Sequence, residues 1–74
     1  MRITIESTSK IVELNGVPAR IWEGETESGI PVHCYVTRIA APPEGVDLTE
    51  FEKELQEHKA PSPEVEAIPL RMIL

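Results

Sequence analysis

Residues 10–22 read KIVELNGVPARIW. Asn15-Gly16 is the strongest short hairpin signal a sequence offers, because a type I′ turn needs two residues that accept positive φ. A two-residue loop there pairs Leu14 with Val17 and Val12 with Ala19, which makes one face of the hairpin apolar on both strands. The reading extends outward from this hairpin. Arg2-Ile3-Thr4-Ile5-Glu6 alternates polar and apolar, and a Ser7-Thr8 turn would pair Ile3 with Val12. Beyond the hairpin, a polar loop over residues 25–28 leads to a run from 30 to about 39. A four-residue loop pairs Ile21 with Val32, Ala19 with Cys34 and Val17 with Val36. All three turn choices place apolar residues on one face, so the sequence predicts a four-stranded antiparallel meander. Pro18 and Pro31 fall near strand starts, where a missing donor does least harm.

Residues 40–45 form a Pro-rich connection. Asp47-Leu48-Thr49-Glu50 has the capping-box spacing, with Asp47 as N-cap and Glu50 reaching back, and Val46 and Phe51 placed as a hydrophobic staple. One helix is expected from there to about residue 58 or 59, stopped by Pro61 and Pro63. Its thin apolar stripe is Leu48, Phe51 and Leu55, and Glu50, Glu54 and Glu57 give it an acidic surface. The run from Ile68 to Leu74 is too apolar for a solvated tail. It is expected as a strand on its own sheet or against a second copy, with its last residue reaching solvent. The fold class expected is α+β: a small antiparallel sheet of four to five strands with one short acidic helix. A single domain divides into sheet (1–39), loop and helix (40–60) and a C-terminal strand-like segment (61–74).

A chain of 74 residues buries only about 60% of its unfolded surface, and a core of this size rarely supplies more than about 3–5 kcal/mol. Cys34 is the only cysteine, so no disulfide can form within the chain. His33 and His58 are the only other soft ligands, so no structural zinc is expected. Self-association is the remaining supplement, and a homo-oligomer is expected. One cysteine suits a reducing cytosol. No apolar leader follows Arg2, and no apolar run approaches the ~20 residues of a membrane span. A cytoplasmic protein without membrane contact is therefore expected. The net charge of −6 argues against nucleic acid as a ligand, since phosphate binding wants a basic stripe. Residues 44–66 hold eight acidic side chains against Lys53 and Lys59. Such a surface keeps a small protein soluble, or docks a basic partner, or imitates nucleic acid.

No catalytic signature is present: no phosphate-cradling glycine loop, no nucleophile elbow and no zinc spacing. His33 and Cys34 are neighbours on a strand and point to opposite faces. The helix carboxylates read as solvated, whereas general acid work needs a shifted pKa in a cleft. No enzyme activity, cofactor or metal is expected. Cys34 reads as a small buried hydrophobe beside Val32 and Val36. On the opposite face, the expected register sets Arg20 against His33, Trp22 against Pro31 and Tyr35 against Pro18, with Ile11 beside Arg20. Arg20, Trp22, His33 and Tyr35 are the candidate binding residues, since Trp, Tyr and Arg are enriched at binding hot spots. The C-terminal segment, the helix or an oligomer seam would cover this face. Left open, it would meet a partner protein, or stack a base and hold a phosphate of a small nucleotide.

The segments RITIES, NGVPARIWEG, SGIPVHCYVTRIA and PSPEVEAIPLRMIL resemble those of small accessory proteins encoded by bacteriophages and prophages of proteobacteria. The resemblance spans most of the chain and is weakest over residues 40–59. That group carries no assigned activity, so no catalytic residue is transferred. The resemblance implies a protein made inside an infected or lysogenic bacterium. It further implies action by binding: inhibition of a host defence protein, or sequestration of a cyclic-nucleotide signal in a symmetric oligomer. A structural or assembly component of the phage is the remaining expectation.

Overall fold

The computed structural model describes residues 1–74 apart from Pro43 and Val46. Its elements are β1 (Ile3–Leu14), β2 (Val17–Thr26), β3 (Pro31–Val36), α1 (Leu48–Leu55), α2 (Pro63–Glu66) and β4 (Arg71–Met72). The sheet order is β3-β2-β1-β4. The first three strands are antiparallel neighbours, and β4 runs parallel to β1. The fold is a small α+β fold with a mixed sheet, not the purely antiparallel one expected.

The hairpin forms as its residues dictate. Asn15 and Gly16 both hold positive φ, at 51° and 84°. Leu14 lies opposite Val17 and Val12 opposite Ala19. Pro18 is harmless in the central strand β2. Its missing donor would face β3, whose pairing ends at Arg20 and Val36.

The Ser7-Thr8 turn does not exist. β1 runs unbroken through it for 12 residues, and Ile3 pairs with Thr26, not Val12. Polar Ser7-Thr8-Ser9-Lys10 instead makes a bulge between the Ser7–Trp22 and Ile11–Arg20 pairs. A bulge leaves ladder groups unpaired, and side chains take them up. Thr8 Oγ1 donates to the Ile21 carbonyl (2.7 Å) and accepts from Lys10 N–H (3.2 Å). Arg20 Nη1 donates to the Thr8 carbonyl (2.9 Å).

The second correction concerns β2 and β3. Ile21 pairs with Tyr35, and not with Val32. The connection is a three-residue loop, Glu27-Ser28-Gly29, closed by Gly29 N–H to the Thr26 carbonyl and Thr26 N–H to the Ile30 carbonyl, both 3.0 Å. Gly29 has φ 86°, the left-handed residue that ends such loops. The Thr26 hydroxyl reinforces it by accepting from Ile30 N–H. Relative to the four-residue loop, this slides β3 by an odd number of positions. An odd slip exchanges the faces of every residue on the strand.

The two sheet faces are therefore covered differently. Val12, Ala19 and Ile21 are buried against Val65 of α2. Leu14, Tyr35, Ile68 and Met72 close the rim of this core. The short helix α2 starts on a Ser62 cap, whose hydroxyl accepts from Val65 N–H (3.3 Å), with Pro63 in its first turn. The chain reaches it along the free edge of β1. Lys59 exchanges backbone bonds with Ser7 and Ser9 (3.0 Å each), and further on Leu70 and Met72 accept from Glu13 and Asn15. The C-terminal segment thus lies on its own sheet, but as only two residues of parallel strand among the described residues, separated by α2 from the Thr8–Lys59 bridge. Leu70, Ile73 and Leu74 remain exposed.

One carboxylate clamps that segment down. Glu23 is 14% exposed; its Oε1 lies 3.3 Å from Lys59 Nζ, and its Oε2 accepts from Ser62 N–H at 3.1 Å. The Ser62 N–H foremost, and then the Lys59 ammonium, hold this carboxyl below the usual 4.5 of a glutamate against the opposing pull of burial. A lowered folded pKa adds stability that is complete above the unfolded value and is lost as pH falls through the folded one. Urea midpoints should therefore fall more steeply below pH 4.5 for the wild type than for Glu23→Gln. Parallel curves would mean that the clamp does not hold in solution.

Candidate functional site

Helix α1 forms where expected at its start. Asp47 Oδ1 accepts from Thr49 N–H (3.0 Å) and Glu50 N–H (3.3 Å). No return bond from Glu50 is present among the described residues, and the Val46 half of the staple lies outside them. The helix ends at Leu55 with Gln56 as its C-cap, short of Pro61. No residue of α1 is buried. Its far end is tied to the sheet through Ser7, whose hydroxyl donates to the Glu57 carbonyl at 2.7 Å.

Between α1 and the sheet a groove of about 480 Å3 remains. Alternation on β2 sends Arg20 and Trp22 into it, opposite the buried Ala19 and Ile21. Its apolar walls include Trp22, Ile11 and Val36 from the sheet side and Phe51 and Leu55 from α1. Ile11 is 47% and Leu55 41% exposed, so the stripe of α1 faces the sheet without sealing against it. Arg20, Arg38, Glu54 and His58 supply the polar lining.

The four candidate residues divide between two faces. Arg20 pairs with Val36 and Trp22 with Cys34, on the groove side. His33 pairs with Glu23 and Tyr35 with Ile21, on the core side. Tyr35 packs against the core, and exposed His33 lines a separate polar depression with Glu23 and Lys59. Cys34, expected on the apolar inner face, lies half-buried on the Trp22 side. The cause is the three-residue loop: every β3 side chain moved to the other face. Arg20 is also partly committed, since one guanidinium nitrogen holds the β1 bulge.

Ser7 Oγ and His58 Nδ1 lie 3.2 Å apart, the spacing of a nucleophile and its base. The shorter bond decides the roles. Ser7 gives its hydrogen to the Glu57 carbonyl, which leaves its oxygen as the acceptor and His58 as the donor. Among the described residues no carboxylate bonds the other ring nitrogen. The pair therefore fastens α1 to β1. Among the described residues no group of three or more His, Cys, Asp or Glu is placed to hold a metal ion, and no helix is long and apolar enough to cross a membrane.

Phe51, Leu55, Ser7 and His58 were not legible as site residues. The i, i+4 pair Phe51/Leu55 reads in sequence as ordinary packing, and only the distance left between helix and sheet makes it a wall. No family model, curated protein or solved structure matches this chain, so the role of the groove is read from its own residues.

Proposed function

We propose that this chain is a binding domain without chemistry of its own, and that the groove between α1 and the Trp22 face receives apolar side chains of a partner protein. The observation that carries this reading is the unfilled groove itself. A half-buried tryptophan stands among apolar side chains that the fold leaves in solvent, although only four hydrophobic side chains are buried among the described residues. A partner that covers them gains roughly 25 cal/mol for each Å2 of apolar area removed from water. Glu54 of α1 lines the groove, and with Glu50 on the same helix and Glu57 just beyond its end it suits a basic rim on the partner, which steers encounter more than it adds affinity. The resemblance to phage accessory proteins supports a bacterial host protein as the partner and inhibition by occlusion as the effect. Trp22 beside Arg20 keeps a small nucleotide as the second reading.

The test is capture of the partner by tagged protein expressed in bacteria, followed by binding measurements with that purified partner. Trp22→Ala should lower affinity at least tenfold, the usual effect of losing an aromatic anchor (about 1.4 kcal/mol or more), with an unchanged circular dichroism spectrum. Equal affinity in a folded Trp22→Ala protein would rule the groove out. A thermal upshift with a cyclic nucleotide, lost in Trp22→Ala, would favour the nucleotide reading instead.

A further inference from the structure

Strand β3 lies at the end of the sheet order and, among the described residues, pairs only with β2. The bond from Thr26 N–H to the Ile30 carbonyl sets the phase of that ladder. In an antiparallel pair, hydrogen-bonded and non-bonded pairs alternate. Val32, Cys34 and Val36 therefore turn their backbone groups to β2, and His33 and Tyr35 turn theirs outward. Natural edges are usually blunted by charged side chains, prolines or bulges. The run PVHCYV has no charged residue in a chain that is 27% charged, and its one proline stands at its start.

We infer that this edge pairs with the same edge of a second copy, antiparallel about a two-fold axis at Cys34. Three features select that partner and register. His33 then faces Tyr35 of the partner subunit, and each exchanges both of its outward backbone groups. Shifting the axis to His33 would set Pro31 against the partner's Tyr35 and forfeit a bond, because proline has no N–H. On the groove side Val32 meets the partner's Val36, which continues an apolar row across the axis. The ends are also complementary in charge. The β2–β3 turn carries Glu27, with Glu25 at the end of β2 just before it, and Arg38 follows the far end of β3. The antiparallel arrangement sets the partner's Arg38 opposite Ile30, beside Glu27, at both ends of the seam. A parallel arrangement would set like charge against like.

The axis makes a chemical marker of Cys34. Directly opposed residues of a non-bonded antiparallel pair have Cα atoms about 4.5 Å apart, within the range that a disulfide spans. The experiment uses the full chain. Native mass spectrometry should give twice the 8.3 kDa chain mass. Diamide, which accepts the two hydrogens of the paired thiols, should convert the protein to a disulfide-linked dimer on a non-reducing gel. His33→Pro removes an outward N–H and leaves the β2 ladder intact, since His33 gives no backbone bond to β2 and its side chain is exposed. It should return the protein to a monomer and abolish the cross-link. A wild-type monomer, a dimer that does not cross-link through Cys34, or a dimer that persists in His33→Pro would each overturn the inference. If His33→Pro loses its circular dichroism signature, wild-type mass and cross-linking decide. The groove reading is tested by other residues and stands or falls separately.

Discussion

Gly24→Ala is expected to detach the first half of β1 from the sheet. Gly24 pairs with Ile5, and a methyl group on it would overlap the Thr4 carbonyl oxygen and lie 2.7 Å from the Ile5 Cα. The glycine is needed for close approach and not for an unusual φ, a common role of glycine within strands. Overpacking costs about 1–3 kcal/mol where side chains can move aside, and occasionally more. Here the obstructing atoms are backbone, so the cost belongs at the top of that range or beyond it. A core this small supplies about 3–5 kcal/mol. The urea transition should therefore move close to zero denaturant, and the amides of residues 3–6 should lose protection from hydrogen exchange first. A midpoint equal to the wild type's would show that the strands do not come this close.

Thr8→Val is the second large effect. The substitution keeps shape and removes the only buried hydroxyl among the described residues. Thr8 and Ile21 are both fully buried, and the Thr8 hydroxyl donates to the Ile21 carbonyl at 2.7 Å beside the bulge. Removing the hydroxyl takes away this donor to the carbonyl and the acceptor of the Lys10 N–H together. Each buried polar group left without a partner costs roughly 1–3 kcal/mol. Thr8→Ser keeps the hydroxyl and loses one methyl, so it separates hydrogen bonding from packing. The urea midpoint of Thr8→Val should fall well below that of Thr8→Ser. Equal midpoints would mean that the bulge is held by other contacts.

These two positions show where sequence reading stops. Neither Gly24 nor Thr8 stands out in sequence, because each acts on a residue more than ten positions away. The polar Ser7-Thr8-Ser9 run reads locally as a turn, and only the Ile21 carbonyl and the Arg20 side chain make it a bulge within one strand. The register of β3 fails for a related reason. Loops of three and of four residues both bury an apolar face, Val32/Cys34/Val36 in one case and Tyr35 in the other. The choice rests on Gly29 in the left-handed conformation and the Thr26 hydroxyl beside it. That odd slip divided Arg20 and Trp22 from His33 and Tyr35. The α2 start was more legible: Ser62-Pro63-Glu64 is a cap, a first-turn proline and an acid in helix-start order, though the prolines read as a stop alone.

By itself the sequence determined what neighbouring residues decide: the Asn15-Gly16 hairpin and its register, the Asp47 cap, the α+β class and the placing of acid after residue 43. Backbone preference and capping act within a few residues, so their signals are local. The tertiary structure alone decided the bulge, the faces of β3, the parallel run of the C-terminal segment and the open groove under α1. Each is a choice between arrangements with similar apolar burial, settled by hydrogen bonds and close approaches between residues far apart in the chain.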